Sequence, residues 1–322
     1  MSGIIPRAPS SRPCWGSHKV ALFRSFRECG RNTDPSRQGA GFVDSAMTRQ
    51  RAQSKRASVA GVLRGLWSYR RLVLSLVRRD LKQRSSGAVW GHAWLVLRPA
   101  VQIVIYTVIF GAVIGARLPG VDDRLAYGIF LCAGIIHWNH FAELLSRTQS
   151  MFLEHADIVK ALRVPRSVLP MAVFLSSLVD YAINAALFLL ALALLDRWPG
   201  AILLAALPLL VLQSLLAVAL GVLSGTLNVF FRDISQATPV VLQLWFWLTP
   251  IVYPVSILPE AVRSVIAWNP MNAVALGYQR IAIEGAPPDW GTTLPVATAS
   301  VILAVLAWSA FRRLSSDLVD EL

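Results

Sequence analysis

The sequence predicts an all-α integral membrane protein with six transmembrane helices, an N-terminal amphipathic interface helix and re-entrant outer helices between spans five and six. Three observations support this prediction. Hydrophobic residues make up 55% of the 322 residues, and only 15% are charged. The mean hydropathy is +0.54. Apolar runs also recur along the chain at the length that a lipid bilayer requires.

The positive charge is concentrated before the first apolar run. Residues 1–93 contain 18 Lys/Arg and 4 Asp/Glu, whereas residues 94–322 contain 13 and 14. A basic segment before the first span is typical of a cytoplasmic N-terminus that faces anionic lipids. The distribution therefore argues against a nucleic-acid partner. It predicts a multi-pass protein of the cytoplasmic (inner) membrane with both termini in the cytoplasm.

The first segment, residues 1–46, is basic and rich in Pro, Gly and Ser, and it lacks the apolar core of a secretory signal. Its composition predicts a disordered leader. A second interpretation is that translation starts at Met47, so that this leader is not made. The predicted domains that follow are a cytoplasmic leader with the interface helix (47–93), a six-span domain (94–313) and a cytoplasmic tail (314–322).

An amphipathic pattern precedes the first span. Apolar residues recur at helical spacing from Val59 to Val77, and the arginines between and after them fall largely on other faces. This pattern predicts a helix that lies in the inner membrane interface. An ordinary soluble helix packed on a partner is the alternative.

Six stretches are apolar and long enough to cross a bilayer core of about 30 Å. They are residues 94–116, 125–145, 168–195, 201–227, 237–255 and 293–311. Pro250 and Pro254 interrupt the fifth. The connection at residues 256–290 carries apolar patches broken by Pro and Gly. We therefore expect two short helices there that dip back into the outer leaflet.

The chain contains no GxxxxGKS/T phosphate loop, HExxH, GxSxG or paired-acid arrangement. We therefore expect no enzyme activity and no cofactor in this chain. Cys14, Cys29 and Cys132 are too few and too scattered for a disulfide framework or a zinc site. His137 and His140 are three residues apart, but the sequence does not complete a metal-ligand set around them, which favours packing roles.

Asp180 is the most isolated charge within a predicted span. Ser176, Ser177 and Asn184 lie on neighbouring turns of the same predicted helix. Such a cluster either lines a polar pathway or makes hydrogen bonds between helices. The sequence leaves both interpretations open.

A charged stretch lies in the predicted inside loop 146–167, where Pro165 ends it before the next span. A short charged helix held between two membrane helices suits docking onto a soluble partner, although a solvated connector is the simpler alternative. The candidate docking residues are Glu154, Asp157, Lys160 and Arg163.

Aromatic residues cluster in and after the fifth predicted span, at Trp245, Trp247 and Tyr253. Aromatic faces stack on sugar rings, but aromatic residues also gather at membrane interfaces without any ligand. Further along, Trp268, Asn269 and Pro270 predict a turn between the two outer short helices.

Four segments, in order along the chain, resemble permease subunits of type 2 ABC exporters, most closely the branch that exports O-antigen, capsular polysaccharide or teichoic acid. They are LVRRDLKQRSSGAVWGHAWLVLRPAVQIVIYTVIFG, ADIVKALRVPRSVLP, NVFFRDISQATPVVLQLWFWLTPIVYP and WNPMNAVALGYQR. The resemblance covers residues 72–313. Two positions depart from the family pattern: Ser85 follows Arg84 where the family has Tyr, and Val164 precedes Pro165 where the family has Phe.

The resemblance implies a homodimer that works with two separate ATP-binding subunits, which carry the ATP and Mg. The cargo is then a lipid-linked polysaccharide that leaves through a channel in the membrane. In this picture the charged loop residues listed above transmit the partner's closure to the spans. The basic face of the interface helix helps to draw in the anionic lipid head group through Arg78, Arg79, Lys82 and Arg84. The sugar path is lined by Trp245, Trp247 and Tyr253.

Three other functions compete with this prediction. A related permease would export a drug or a small lipid, but the aromatic fifth span and the basic interface helix argue for a glycolipid. A membrane-bound glycosyltransferase needs a catalytic carboxylate or an acidic metal motif on a sizeable outside domain. The outside loops offer only Asp122, Asp123, Asp196, Glu260, Glu284 and Asp289. A proton-coupled secondary transporter would use Asp180, but six spans without an internal repeat fit that class poorly.

Overall fold

The computed structural model describes residues 69–85, 93–113, 118–119, 123, 125–155 and 168–314. These described residues form helices, turns and short connections, with no β-strand among them. The chain divides into two units, Met1–Gly61 and Val62–Leu322, and every described residue belongs to the second. The predictions for the leader, for a start at Met47 and for residues 315–322 lie outside the described residues.

Nine α-helices follow one another along this described part of the chain. They are α1 (Arg70–Ser85), α2 (Ala93–Ile105), α3 (Ala126–Glu154), α4 (Val168–Leu194), α5 (Ala206–Phe230), α6 (Asp233–Trp247), α7 (Glu260–Ile266), α8 (Pro270–Glu284) and α9 (Trp290–Leu314). A π-helix, Tyr106–Val113, prolongs α2. Short 3₁₀ turns precede α5 at Gly200–Ala205 and α7 at Val255–Ile257.

Four helical stretches are long and apolar enough to cross a membrane. They are Ala93–Phe110, Val168–Leu194, Gly200–Phe230 and Trp290–Phe311. They coincide with predicted spans one, three, four and six, which confirms an all-helical chain with several membrane-spanning helices in this region.

The second and fifth predicted spans differ from the observed helices. Helix α3 begins at Ala126, close to the predicted start, but it continues to Glu154, so it carries charged residues that lower its hydropathy. Helix α6 has only 15 residues. It ends shortly before Pro250, because proline has no N–H to donate and restricts the residue before it. The count of six spans therefore stays a prediction.

Helix α3 occupies the centre of the bundle, and α4, α5 and α8 pack around it. Phe141, Leu144 and Met151 on this helix have no exposed surface. The first half of α3 is buried on nearly all of its faces and is largely apolar, as expected of a helix surrounded by other helices.

Two glycines allow α5 to lie very close to α3. A Cβ atom on Gly221 would lie 2.6 Å from the Cβ of Thr148, and one on Gly225 would lie 2.7 Å from the carbonyl oxygen of Gln149. Small residues four apart on a helix form one flat face that lets two backbones approach, as in many membrane helix pairs.

The connection between α6 and α9 contains the two helices α7 and α8, as the sequence predicts. Asn269 caps α8, since its side chain accepts a hydrogen bond from the N–H of Met271, and Pro270 occupies the first helical position. Gly285 ends α8 with a φ of 60°, a left-handed conformation that glycine adopts without steric cost. The insertion of α7 and α8 into an outer leaflet stays a prediction.

Candidate functional site

Helix α1 lies against the beginning of α4. Val73 and Val77 are buried in one cluster with Val168, the first residue of α4. Asp80 and Arg84 continue the same face of α1, since the four positions are spaced at i, i+4, i+7 and i+11. The apolar contact between α1 and the start of α4 is therefore followed, further along both helices, by a contact between charged side chains.

Five charged side chains from three helices meet at this point, and we call them the charge cluster: Asp80 and Arg84 of α1, Glu143 and Arg147 of α3, and Asp180 of α4. Arg147 Nη2 lies 2.6 Å from Asp80 Oδ2. Arg84 Nη1 lies 3.1 Å from Glu143 Oε1 and also donates to Asp180. Each arginine bridges carboxylates on different helices, so the cluster ties α1, α3 and α4 together.

Two buried serines of α4 complete the cluster. Ser176 donates to Asp80 and accepts a hydrogen bond of 3.2 Å from Arg147, and Ser177 accepts another of 2.8 Å from the same guanidinium. Burial raises the pKa of Asp80, but the hydrogen bond from Ser176 and the charges of Arg147 and Arg84 lower it by more. The pKa of Asp80 therefore lies below its ordinary value of 3.8. Asp80 is therefore an anion throughout the neutral and mildly acidic range.

The face of α1 opposite the cluster is basic and exposed. Arg71, Arg78, Arg79 and Lys82 are all exposed residues. With about 100° of rotation per residue, Arg71, Arg79 and Lys82 lie on the side of α1 opposite Val77 and Arg84, and Arg78 lies beside them at the edge of that side. Helix α1 therefore has one face bound to the bundle and one positively charged face directed away from it.

A second polar group lies within the bundle, where α3, α4, α5 and α8 meet. His137 Nδ1 bonds to the carbonyl oxygen of Ala133, so its Nε2 accepts from the hydroxyl of Tyr181 at 2.9 Å. His140 Nε2 lies 3.2 Å from Ser214 Oγ. Both imidazoles are thus engaged by protein groups, and the described residues contain no group of three His, Cys, Asp or Glu suited to a metal ion.

The three aromatic residues chosen from the sequence have different environments. The indole N–H of Trp245 donates to Asn269 Oδ1 at 2.7 Å, and its ring packs edge-on against Phe141. Trp247 lies on the open side of α6 and is 55% exposed. Tyr253 is half-buried, and its hydroxyl donates to the carbonyl oxygen of Trp247 at 2.7 Å. Trp247 is therefore the one of these three whose ring is open to a ligand.

A cavity of about 480 Å³ lies between α8 and the segment that follows α6. Its walls are largely apolar and include Phe130 and Pro254. At its rim, Arg280 Nε lies 2.9 Å from Glu284 Oε2, in an exposed ion pair.

Comparison with known families identifies the fold. The sequence profile described as "ABC-2 type transporter" matches residues 71–279. The chain belongs to the ABC-2 type transporter family. The match begins within α1 and ends within α8, so it includes the whole charge cluster and the segment from α6 to α8.

Several relatives of this ABC-2 transporter have descriptive names. The O-antigen export system permease protein RfbA of Myxococcus xanthus is 29% identical over 263 residues, which cover 81% of this chain and 99% of that protein. A Klebsiella pneumoniae protein of the same name is 26% identical over 244 residues, covering 76% and 92%. The polysialic acid transport protein KpsM of Escherichia coli is 20% identical over 212 residues, covering 62% and 76%.

The candidate docking residues of this ABC-2 transporter lie at the end of α3 and beyond it. Glu154 is the last residue of α3 and is exposed. Asp157, Lys160 and Arg163 lie outside the described residues, so their docking role stays a prediction. The described helices on either side, α3 and α4, both contribute residues to the charge cluster.

The sequence-based choice of site residues included Arg84 and Asp180 of the cluster but assigned them separate roles. It omitted Asp80, Glu143 and Arg147. A signal for them was present, because Asp80 and Arg84, and likewise Glu143 and Arg147, are pairs of opposite charge four residues apart. Their meeting across three helices could not be read from the sequence of this ABC-2 transporter.

Proposed function

We propose that this chain is the transmembrane subunit of an ATP-driven exporter that moves a lipid-linked polysaccharide, of the O-antigen, capsule or teichoic-acid type, across the cytoplasmic membrane. One observation carries the proposal. The similarity to an O-antigen export permease extends over 81% of this chain and 99% of that relative, so it includes the whole transport domain of the relative.

The energy source is a separate ATP-binding subunit. The sequence has no phosphate-binding loop, and membership of the ABC-2 family implies an ATP-binding partner. Two copies of each subunit form the working transporter in our proposal, and ATP and Mg bind only to the partner. The charged segment formed by Glu154, Asp157, Lys160 and Arg163 docks onto it on the cytoplasmic side.

Pairing of two copies is supported by apolar surface that a single chain leaves uncovered. On α2, Val101 and Val104 are 47% and 58% exposed. On α6, Val240, Leu244 and Trp247 are 60%, 61% and 55% exposed, and they repeat at i, i+4 and i+7. Lipid covers part of this surface, and the second copy covers the rest.

The basic face of α1 and the aromatic residues in and after α6 act on different parts of the cargo. Arg78, Arg79 and Lys82 are exposed and suit the phosphate groups of a lipid carrier at the cytoplasmic surface. The open ring of Trp247 offers a stacking surface to a sugar. Trp245 and Tyr253 support it, since Trp245 is held by Asn269 and Tyr253 bonds to the backbone of Trp247.

The first experiment is purification of the full chain from its native membrane in mild detergent. We expect an ATP-binding subunit to co-purify in a one-to-one ratio. We also expect deletion of the gene to remove a surface polysaccharide and a plasmid copy to restore it. An unchanged surface polysaccharide, with no ATP-binding subunit in the purified sample, would falsify the proposal.

The docking segment has its own test. Replacing Asp157 and Lys160 together by alanine is expected to abolish export while the chain remains in the membrane, because the partner then loses its charged contact. Quantitative blotting of membranes checks insertion, and surface staining of the polysaccharide checks export. Normal export by this double variant would contradict the docking role.

A further inference from the structure

The charge cluster connects α1 to both helices that border residues 155–167. Helix α3 ends at Glu154 and α4 begins at Val168. Arg147 lies on α3 about two turns before that end, roughly 10 Å along the helix axis. The facing ends of α3 and α4 are therefore joined to the cluster by two short stretches of continuous helix.

Apolar packing alone does not hold α1 in one orientation. On α1, Val73 and Val77 are buried in the apolar cluster with Val168, and Leu72, Leu76 and Leu81 pack against it half-buried. Apolar contact of this kind has little directional preference. The ion pairs of Asp80 and Arg84 do have a direction, since a guanidinium binds carboxylates in the plane of its N–H groups. These pairs select the rotation of α1 about its own axis.

A neutral residue in place of Arg84 or Arg147 would lose the ion pairs that these arginines make. Arg84 contacts Asp80, Glu143 and Asp180, and Arg147 contacts the same three carboxylates. Removal of one arginine leaves three carboxylates close to a single positive charge, and their repulsion then favours separation of the helices. The attachment of α1 thus depends on each member of the set.

We propose that the charge cluster is a latch that makes α1 move as one body with α3 and α4, so that movement of the facing ends of α3 and α4 is transmitted to the basic face of α1. Transmission from a partner rests on the proposed function, whereas the latch itself does not. Arg84 and Arg147 are positioning residues. Arg84 orients the helix, and Arg78, Arg79 and Lys82 on its other face meet the lipid phosphate.

The latch is tested first in the chain alone, in membranes. The measurement is how slowly a cysteine at a buried position of α1 reacts with a labelling reagent. Val77→Cys is placed in a background in which the native cysteines are serine, and its reaction with a water-soluble maleimide is timed. We expect slow labelling with the cluster intact and labelling at least tenfold faster with Asp80→Asn or Arg147→Gln. Arg71→Gln, which removes an exposed arginine of the same helix, is expected to leave the rate unchanged.

Equal labelling rates in all four chains would overturn the latch, because apolar packing alone would then hold α1. Asp80→Asn keeps the test valid if Arg147→Gln does not reach the membrane, since Asp80 lies on α1 and not within the central bundle. Arg147→Lys keeps one positive charge and is expected to recover most of the protection.

The transmission step is tested in the complex with the ATP-binding subunit. We expect Asp80→Asn and Arg147→Gln to keep ATP hydrolysis within twofold of the unmodified complex while export falls at least tenfold. Export that persists, or hydrolysis that falls together with export, would refute transmission through the latch. Failure of any ATP-binding subunit to co-purify refutes the proposed function instead, and the labelling result still decides the latch.

Discussion

The close contact of α3 and α5 provides a sharp prediction about stability. Gly225→Ala adds a Cβ atom 2.7 Å from the carbonyl oxygen of Gln149, 3.1 Å from its Cα and 3.2 Å from its carbonyl carbon. Ordinary contact begins near 3.4 Å. All three neighbours are backbone atoms of a buried helix, so no side chain can turn away to make room.

The helices must therefore separate by about 0.7 Å at this point, a gap at which contacting atoms lose a quarter to a half of their dispersion attraction. Overpacking of this kind costs about 1–3 kcal/mol. The better helix propensity of alanine offsets about 1 kcal/mol. Because backbone atoms oppose the new methyl group, we expect the upper part of the range and a net loss of roughly 2 kcal/mol.

The assay is thermal unfolding of the purified chain in one detergent. The quantity measured at each temperature is the fraction of the protein that remains monodisperse after heating. Gly225→Ala is expected to lower the midpoint temperature by several degrees. Gly291→Ala is the control, because Gly291 is exposed and the new Cβ would meet only a side-chain atom, Asp289 Oδ1 at 3.2 Å. A shift of a few tenths of an ångström relieves that contact and keeps the hydrogen bond from the Gly291 N–H to the same oxygen. A Gly225→Ala chain as stable as the Gly291→Ala chain would show that α3 and α5 are not in close contact.

Two further predictions concern the segment from α6 to α8. Asn269→Ala removes the cap of α8 and the bond to Trp245, and it is expected to reduce stability by about 1–2 kcal/mol; an unchanged midpoint temperature would contradict the role of this cap. Trp247→Ala is expected to reduce polysaccharide export at least tenfold with ATP hydrolysis retained, because the open stacking surface is lost. Trp268→Ala is its control, since Trp268 is 90% exposed on the turn before α8 and has no assigned role. Equal export by the two tryptophan variants would remove Trp247 from the sugar path.

Much of the helical architecture is predictable from composition. Spans one, three, four and six are apolar over at least 18 residues, and a bilayer admits such a stretch only as a helix or within a barrel. The turn at Asn269 and Pro270 is equally local, because a capping side chain followed by proline at the first helical position is a strong start signal. Both features depend on residues that are neighbours in sequence.

The limits of α3 and α6 were harder to predict, for a physical reason. Apolarity predicts where a helix lies in lipid, but it does not predict how far the helix continues beyond the lipid. Helix α3 continues to Glu154 because its charged residues find partners on α1 and α4. Glu143 and its partner Arg84 are 59 residues apart in the sequence, and Arg147 and its partner Asp80 are 67 residues apart.

The sequence by itself therefore determined the class of this protein and most of its apolar helices. These follow from composition and from the short motifs that are present. Only the tertiary structure decided that Arg84 pairs with Asp180, that Asp80 and Arg147 belong to the same cluster, and that Trp247 is open while Trp245 is held by Asn269. Each depends on which faces of distant helices meet, and helical periodicity alone does not specify that pairing.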